Sequence, residues 1–186
     1  AAAQCRLGLV RYRQGRYAER VAARYRQEGA MLEYETFVQE SRKYVEWGAA
    51  PLREAIRLAR EQPDLKAKAR LQLARVYETL GDFARAGAVL ERLANDPETA
   101  PGIRLEASRR WALSLERQGL RERALDKLLP YARQDLRSAI EAGRLLEIMA
   151  EPRKAYETYR AGLTEIRRAQ RDEEFRANAA ELLYRR

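Results

Sequence analysis

Histidine is absent from this chain, and cysteine occurs once, at Cys5. Without histidine there is no Cys-His zinc site and no Ser-His or Cys-His nucleophilic pair, and a single cysteine closes no intrachain disulfide. Glycine-rich phosphate loops and the HExxH metal motif are missing as well, so no cofactor or metal ion is expected. No run of the roughly 18 to 20 uncharged apolar residues that span a bilayer occurs, and no stretch has the charged start and apolar middle of a secretory signal. The chain opens Ala1-Ala2-Ala3-Gln4, already in a helical pattern, which is expected of a piece of a larger protein. Both a cytoplasmic and a periplasmic setting stay open, as does the oligomeric state.

What the sequence has in quantity is charge and short apolar spacing. Charged residues make up 35% and apolar residues 46%, a balance that builds helices with one buried stripe and one long solvated face. The acidic cluster Asp172-Glu173-Glu174 is read as answering the dipole at a helix start rather than as an acid-base pair. No catalytic residue is assigned and the chain is expected not to be an enzyme.

The few glycines act as punctuation. In LARVYETLGDFARAGAVLERL, residues 73 to 93, Gly81 relaxes the backbone at the end of one helix and Asp82 caps the next. Similar signals recur at Gly15, Gly48 and Gly119, with Ala150-Glu151-Pro152 in the equivalent place, at intervals of 33, 33, 38 and 31 residues. A period in the thirties made of helix-turn-helix units is the signature of a helical solenoid. Two helices joined by so short a turn lie antiparallel and close, which leaves room only for small side chains at their nearest approach. Ala74 and Ala86 meet that need, as do Ala112 with Ala124 and Gly143 with Ala155; Gly8 is followed by Arg20, so the rule fails in the first unit.

The pattern Leu73-Ala74-x-x-Tyr77, Gly81-Asp82-Phe83, Ala86-x-x-x-Leu90 and Pro97 resembles the tetratricopeptide repeat (TPR). Trp111-Ala112-x-x-Leu115, Gly119, Ala124 and Leu128 repeat it, and Ala142-Gly143-x-x-Leu146, Ala155 and Tyr159 repeat it without the turn glycine. The resemblance implies an all-α fold, a right-handed superhelical solenoid of stacked antiparallel helix pairs in one domain. The units are expected at roughly 1-30, 32-62, 65-97, 103-133 and 135-166, with a terminal capping helix at 170-185. In the second unit the turn Gly48-Ala49-Ala50-Pro51 runs about two residues long and leaves Ala55 out of register with Ser41. Asp64 and Asp135 are expected to cap the helices entering Leu65 and Leu136, and the loop from Asn95 to Gly102 reads as an insertion or a hinge.

The face of each first helix opposite its buried stripe points into the groove of such a superhelix. At about 100° per residue this face carries Lys68, Leu71, Arg75 and Glu78 in the third unit, and Glu106, Arg109, Leu113, Glu116 and Arg117 in the fourth. Arg137, Ile140, Arg144 and Glu147 follow in the fifth, while Leu9, Tyr12 and Arg13 come from the first. Two readings compete for this face. Its arginines and aliphatic patches either receive a segment of another protein through guanidinium-carboxylate pairing, or form a solvated surface in which Arg75 pairs with Glu78 and Arg144 with Glu147. Some TPR domains grip a C-terminal carboxylate with lysines and asparagines; Cys5 and Leu9 stand in the corresponding places, so no such clamp is expected, and Cys5 reads as a small apolar side chain.

Thirty-seven basic against 28 acidic residues give a net charge of +9, which favours an acidic protein or peptide partner. Nucleic-acid binding fits less well, because the arginines are spread over every helix and most tyrosines fall at core spacing. The resemblance thus implies a noncatalytic protein-protein interaction scaffold. A periplasmic scaffold for bacterial polysaccharide export or envelope assembly, and a sensor or effector domain of a transcription regulator, are its alternatives. The arginine-heavy, lysine-poor composition fits a GC-rich bacterial genome.

Overall fold

The computed structural model describes residues 1–164, 167, 168 and 171, and the terminal helix expected at 170-185 lies outside the described residues. The chain divides into two compact units, Ala1–Gln118 and Gly119–Arg186. Every regular element among the described residues is helical. None of these helices is long and apolar enough to cross a membrane.

The first unit contains α1 (Ala2–Gln27), α2 (Met31–Leu58), α3 (Pro63–Thr79), α4 (Phe83–Ala94) and α5 (Pro101–Arg117). Each helix packs on the next, and α3 also touches α1 and α5. The helix starts follow local chemistry. Pro63 and Pro101 occupy first-turn positions, where the missing N–H costs nothing, and the Asp82 carboxylate accepts the Arg85 backbone N–H at 3.0 Å. Asp64 falls inside the first turn of α3 rather than at its cap, because Pro63 already starts the helix. The core gathers Val45, Ala49, Leu52, Leu73, Val76, Tyr77 and Ala86, with Cys5, Tyr12, Ile56, Leu80 and Val89 packed against it.

The turns expected at Gly15 and Gly48 do not exist. Each glycine lies inside a continuous helix, α1 of 26 residues and α2 of 28, and the chain reverses only at Gly29, where φ is +76°. Residues 2–58 thus form one long hairpin where two shorter helix pairs were expected, and Pro51 is carried inside α2. Packing explains both glycines. A Cβ on Gly15 would strike Val45 and lie 2.8 Å from the Ser41 carbonyl, while one on Gly48 would lie 3.1 Å from the Gly8 carbonyl. Gly8, Gly15, Ala18 and Ala22 are the buried residues of α1, and they let the two backbones approach closely. Gly8 therefore has its partner on α2 rather than twelve residues along the chain.

The short turns share a hydrogen-bond pattern. Gly81 N–H donates to the Glu78 carbonyl at 3.0 Å and Asp82 N–H to the Tyr77 carbonyl at 2.9 Å, closing α3 with a left-handed residue at φ +77°. Gly29 and Ala30 repeat the pair at the tip of the long hairpin. The loop expected as an insertion or hinge is tied down: Arg70 Nη1 donates to Asp96 at 2.8 Å, the same carboxylate accepts Glu98 N–H at 3.1 Å, and Thr99 is buried.

The second unit contains α6 (Arg121–Leu128), a 3-10 turn at Leu129–Tyr131, α7 (Leu136–Ile148) and a helix over 152–164, here α8. Asp135 caps α7 as expected, its carboxylate accepting the Ser138 N–H at 2.8 Å and hydroxyl at 2.7 Å. Gly143 lies directly beneath the Tyr159 ring of α8, and a Cβ on Gly162 would come within 2.6 Å of Ala139. Small residues on both helices thus let α7 and α8 close on each other. The turn between them uses Ala150, at φ +61°, in the place that Gly29, Gly81 and Gly119 take in their turns.

Candidate partner-binding face

In the first unit α1, α3 and α5 are adjacent, so the face expected to receive a partner is built from three neighbouring helices. Arg13 and Lys68 are exposed and Tyr12 is half-buried. From α5, Leu113 is 42% exposed and Arg117 is exposed, while Arg109 and Glu116 are partly covered and engaged with neighbours. Leu71 is buried at 7% exposure and belongs to the core rather than to the open surface, since α3 is covered by helices on more than one side.

Arg75 and Glu78 do not pair with each other within α3, as the solvated reading had it, but with α5. Arg75 Nη2 donates to Glu106 at 2.8 Å, and Glu78 accepts from two nitrogens of Arg110, Nη2 and, at 3.2 Å, Nε. Arg110 also lies 3.6 Å from Glu106. Four side chains from two helices form one network that holds α3 to α5. Arg75 and Glu78 are therefore spent on packing within this unit, and the cationic groups left most accessible on the face are Arg13, Lys68 and Arg117. Burial pushes the Cys5 thiol up from its ordinary range, with the charge of Lys68 pulling the other way. The sulfur packs beside the core as a small apolar group.

In the second unit α7 presents Arg144 and Glu147, both exposed, with Ile140 at 50% exposure. Glu147 reaches Tyr159 across to α8. Burial first, then the charge and hydrogen bond of Glu147, raise the Tyr159 phenol above its usual value.

No protein-family model matches the chain, and no curated protein matches its sequence. Solved structures do. A Podosopora anserina kinesin light chain protein with nearly identical TPR-like repeats aligns at a TM-score of 0.51 and 22% identity, over 93% of this chain and 92% of that one. A point variant of that protein aligns equally well, over 94% and 93%. MamA AMB-1 aligns at 0.47 and 14% identity, over 81% of this chain and 98% of that chain.

The fold is a TPR-like helical repeat. Within it, sequence periodicity located the buried stripes of α3, α5 and α7, because those helices carry the repeat's own pattern: Leu73, Tyr77, Trp111 and Leu146 are all buried. Periodicity missed the network between α3 and α5. Glu78 and Arg110 are 32 residues apart, close to one repeat, and an acid and a base at that separation on successive first helices is the signal that would have found it. It also missed an apolar cleft near the tip of the long hairpin, since that cleft exists only because α1 and α2 are longer than the repeat they open.

Proposed function

We propose that this TPR-like chain is a noncatalytic protein-protein interaction scaffold that takes a segment of another protein, acidic in character, along the face of α1, α3 and α5. One observation carries the reading. The Arg75-Glu106 and Arg110-Glu78 pairs satisfy the central charges of this face internally, whereas Arg13, Lys68 and Arg117 stay exposed around them. A face braced in this way is pre-organised, which lowers the ordering cost of binding, and its outlying cations match carboxylates of a partner. In the second unit α7 adds an exposed cation, Arg144, and an exposed aliphatic side chain, Ile140, with Glu147 beside them.

Reversal of Arg13, Lys68 and Arg117 to glutamate tests the reading against reversal of Arg53, Arg60 and Arg92, exposed residues on or just beyond the second helices α2 and α4. Both sets change net charge equally. Proteins captured from a native lysate are expected to be lost with the first set and kept with the second, with both variants melting like the parent. Equal losses would assign recognition to general charge and remove the face from consideration.

A further inference from the structure

The long hairpin overshoots its neighbour. α1 and α2, at 26 and 28 residues, run about 40 Å, whereas α3 at 17 residues runs about 26 Å. Because α3 turns straight back along α2, it ends at Thr79 and Leu80 partway up the hairpin. The remaining length of α1 and α2 stands beyond that end and encloses a cleft of about 600 Å³. Its apolar lining runs from the buried Ala22 and Val45 through the half-buried Leu80 to the exposed Val38, and the exposed Arg26 and Arg42 stand at its mouth.

We infer that this cleft is a second docking site, which anchors an apolar side chain of a partner segment whose flanking residues are acidic. A volume in the range of about 300 to 1,000 Å³ is that of clefts that bury a ligand rather than of packing defects. Its apolar walls reward an aliphatic or aromatic side chain. The charges at the mouth choose what lies beside that side chain. Arg26 lies over the Tyr34 ring at 5.8 Å and, among the described residues, is paired with no carboxylate. Arg42 meets Glu46 only loosely, at 3.6 Å. The one acid lining the cleft, Glu19, is held by Arg16. The mouth therefore presents two guanidinium forks and a neutralised acid, a field that carboxylates satisfy and that lysines or arginines of a partner do not. The site lies apart from the exposed cations of the proposed binding face, so each stands or falls by itself.

Panning a display library of random short peptides against the folded chain tests the inference. Enriched sequences are expected to place an apolar residue among aspartates and glutamates. Resynthesised and labelled, such a peptide is expected to bind Ala23→Tyr about tenfold or more weakly, because the ring fills the cleft from an exposed wall position without touching the core. The pair Arg26→Glu with Arg42→Glu is expected to weaken it comparably, and Arg53→Glu with Arg92→Glu by less than about twofold. Enrichment of basic or purely polar peptides, no enrichment, or peptides that bind Ala23→Tyr as well as the parent would overturn the site. Peptides lost on reversal of Arg13, Lys68 and Arg117 but indifferent to Ala23→Tyr would overturn it while leaving the proposed binding face in place.

Discussion

Gly15 and Val45 meet across α1 and α2 with no space for a methyl group between them. The contact makes glycine a packing residue here, inside a helix where it is otherwise a poor choice.

Substitution of that glycine separates the two roles. Gly15→Ala gains helix propensity but drives a Cβ into Val45 and the Ser41 carbonyl, and is expected to lower stability by about 1 to 3 kcal/mol. Gly102→Ala, in the first turn of α5 with open space around it, is expected to raise stability by about 0.4 to 1 kcal/mol, through the freedom glycine has in the unfolded chain. Chemical denaturation of the two variants measures both. A stabilised Gly15→Ala would mean that α1 and α2 are not in close contact at this point.

The turn residues allow a pair of opposite outcomes. Ala150 holds a left-handed conformation that costs an L-residue about 1 to 2 kcal/mol, while glycine's freedom in the unfolded chain returns about 0.4 to 1. Ala150→Gly is thus expected to raise the melting temperature, and Gly81→Ala, at φ +77°, to lower it. Nothing lies within 4 Å of a Cβ at Gly81, so the effect there is conformational and not steric. Movement of both variants in the same direction would contradict the assignment.

Acid is expected to weaken the start of α4. The Arg85 backbone N–H, with its side chain adding to the effect, holds the Asp82 carboxyl below its usual range. A depressed pKa contributes stability that is fully present above the unfolded value, about 3.9, and is lost as pH falls through the folded one. Asp82→Ala is expected to cost about 1 kcal/mol at neutral pH, and the gap from the parent is expected to close as the carboxyl protonates. Melting curves across that acidic window measure it; a gap that does not change with pH would assign the effect to something other than the charged cap.

Loss of the bridge between α3 and α5 is expected to show in stability as well. Arg110 and Glu78 are only 20% and 17% exposed, so Arg110→Ala leaves a covered carboxylate short of donors and is expected to cost about 1.5 to 3 kcal/mol. Arg57→Ala removes a pair of similar chemistry within one turn of α2, open to water, and is expected to be nearly silent. Equal effects would mean that the network adds nothing to the packing of the two helices.

Local chemistry in the chain was enough to locate the turn between α3 and α4 and the buried stripes of α3, α5 and α7. Gly81 and Asp82 form a turn whatever surrounds them, and apolar residues at helical spacing have one face to bury, whereas Pro63 and Pro101, expected to lie ahead of their helices, are the residues that start them. The same reasoning failed at Gly15 and Gly48, because a glycine looks identical in sequence whether it serves a turn or a close contact. Only the partner helix distinguishes them. Val45 and Ser41 fill the space that a side chain at Gly15 would need, and burial of Leu52 and Ala55 carries α2 through Pro51. The proposed binding face divides in the same way. Which residues lie opposite the buried stripe follows from a rotation of 100° per residue, so Arg13, Lys68 and Arg117 were legible. That Arg75 and Glu78 turn to Glu106 and Arg110, and that a cleft opens beyond the end of α3, depends on which helices become neighbours and how far each extends past the next. Those relationships are decided when distant segments pack, where close contact and charge pairing are settled between residues that no local pattern links.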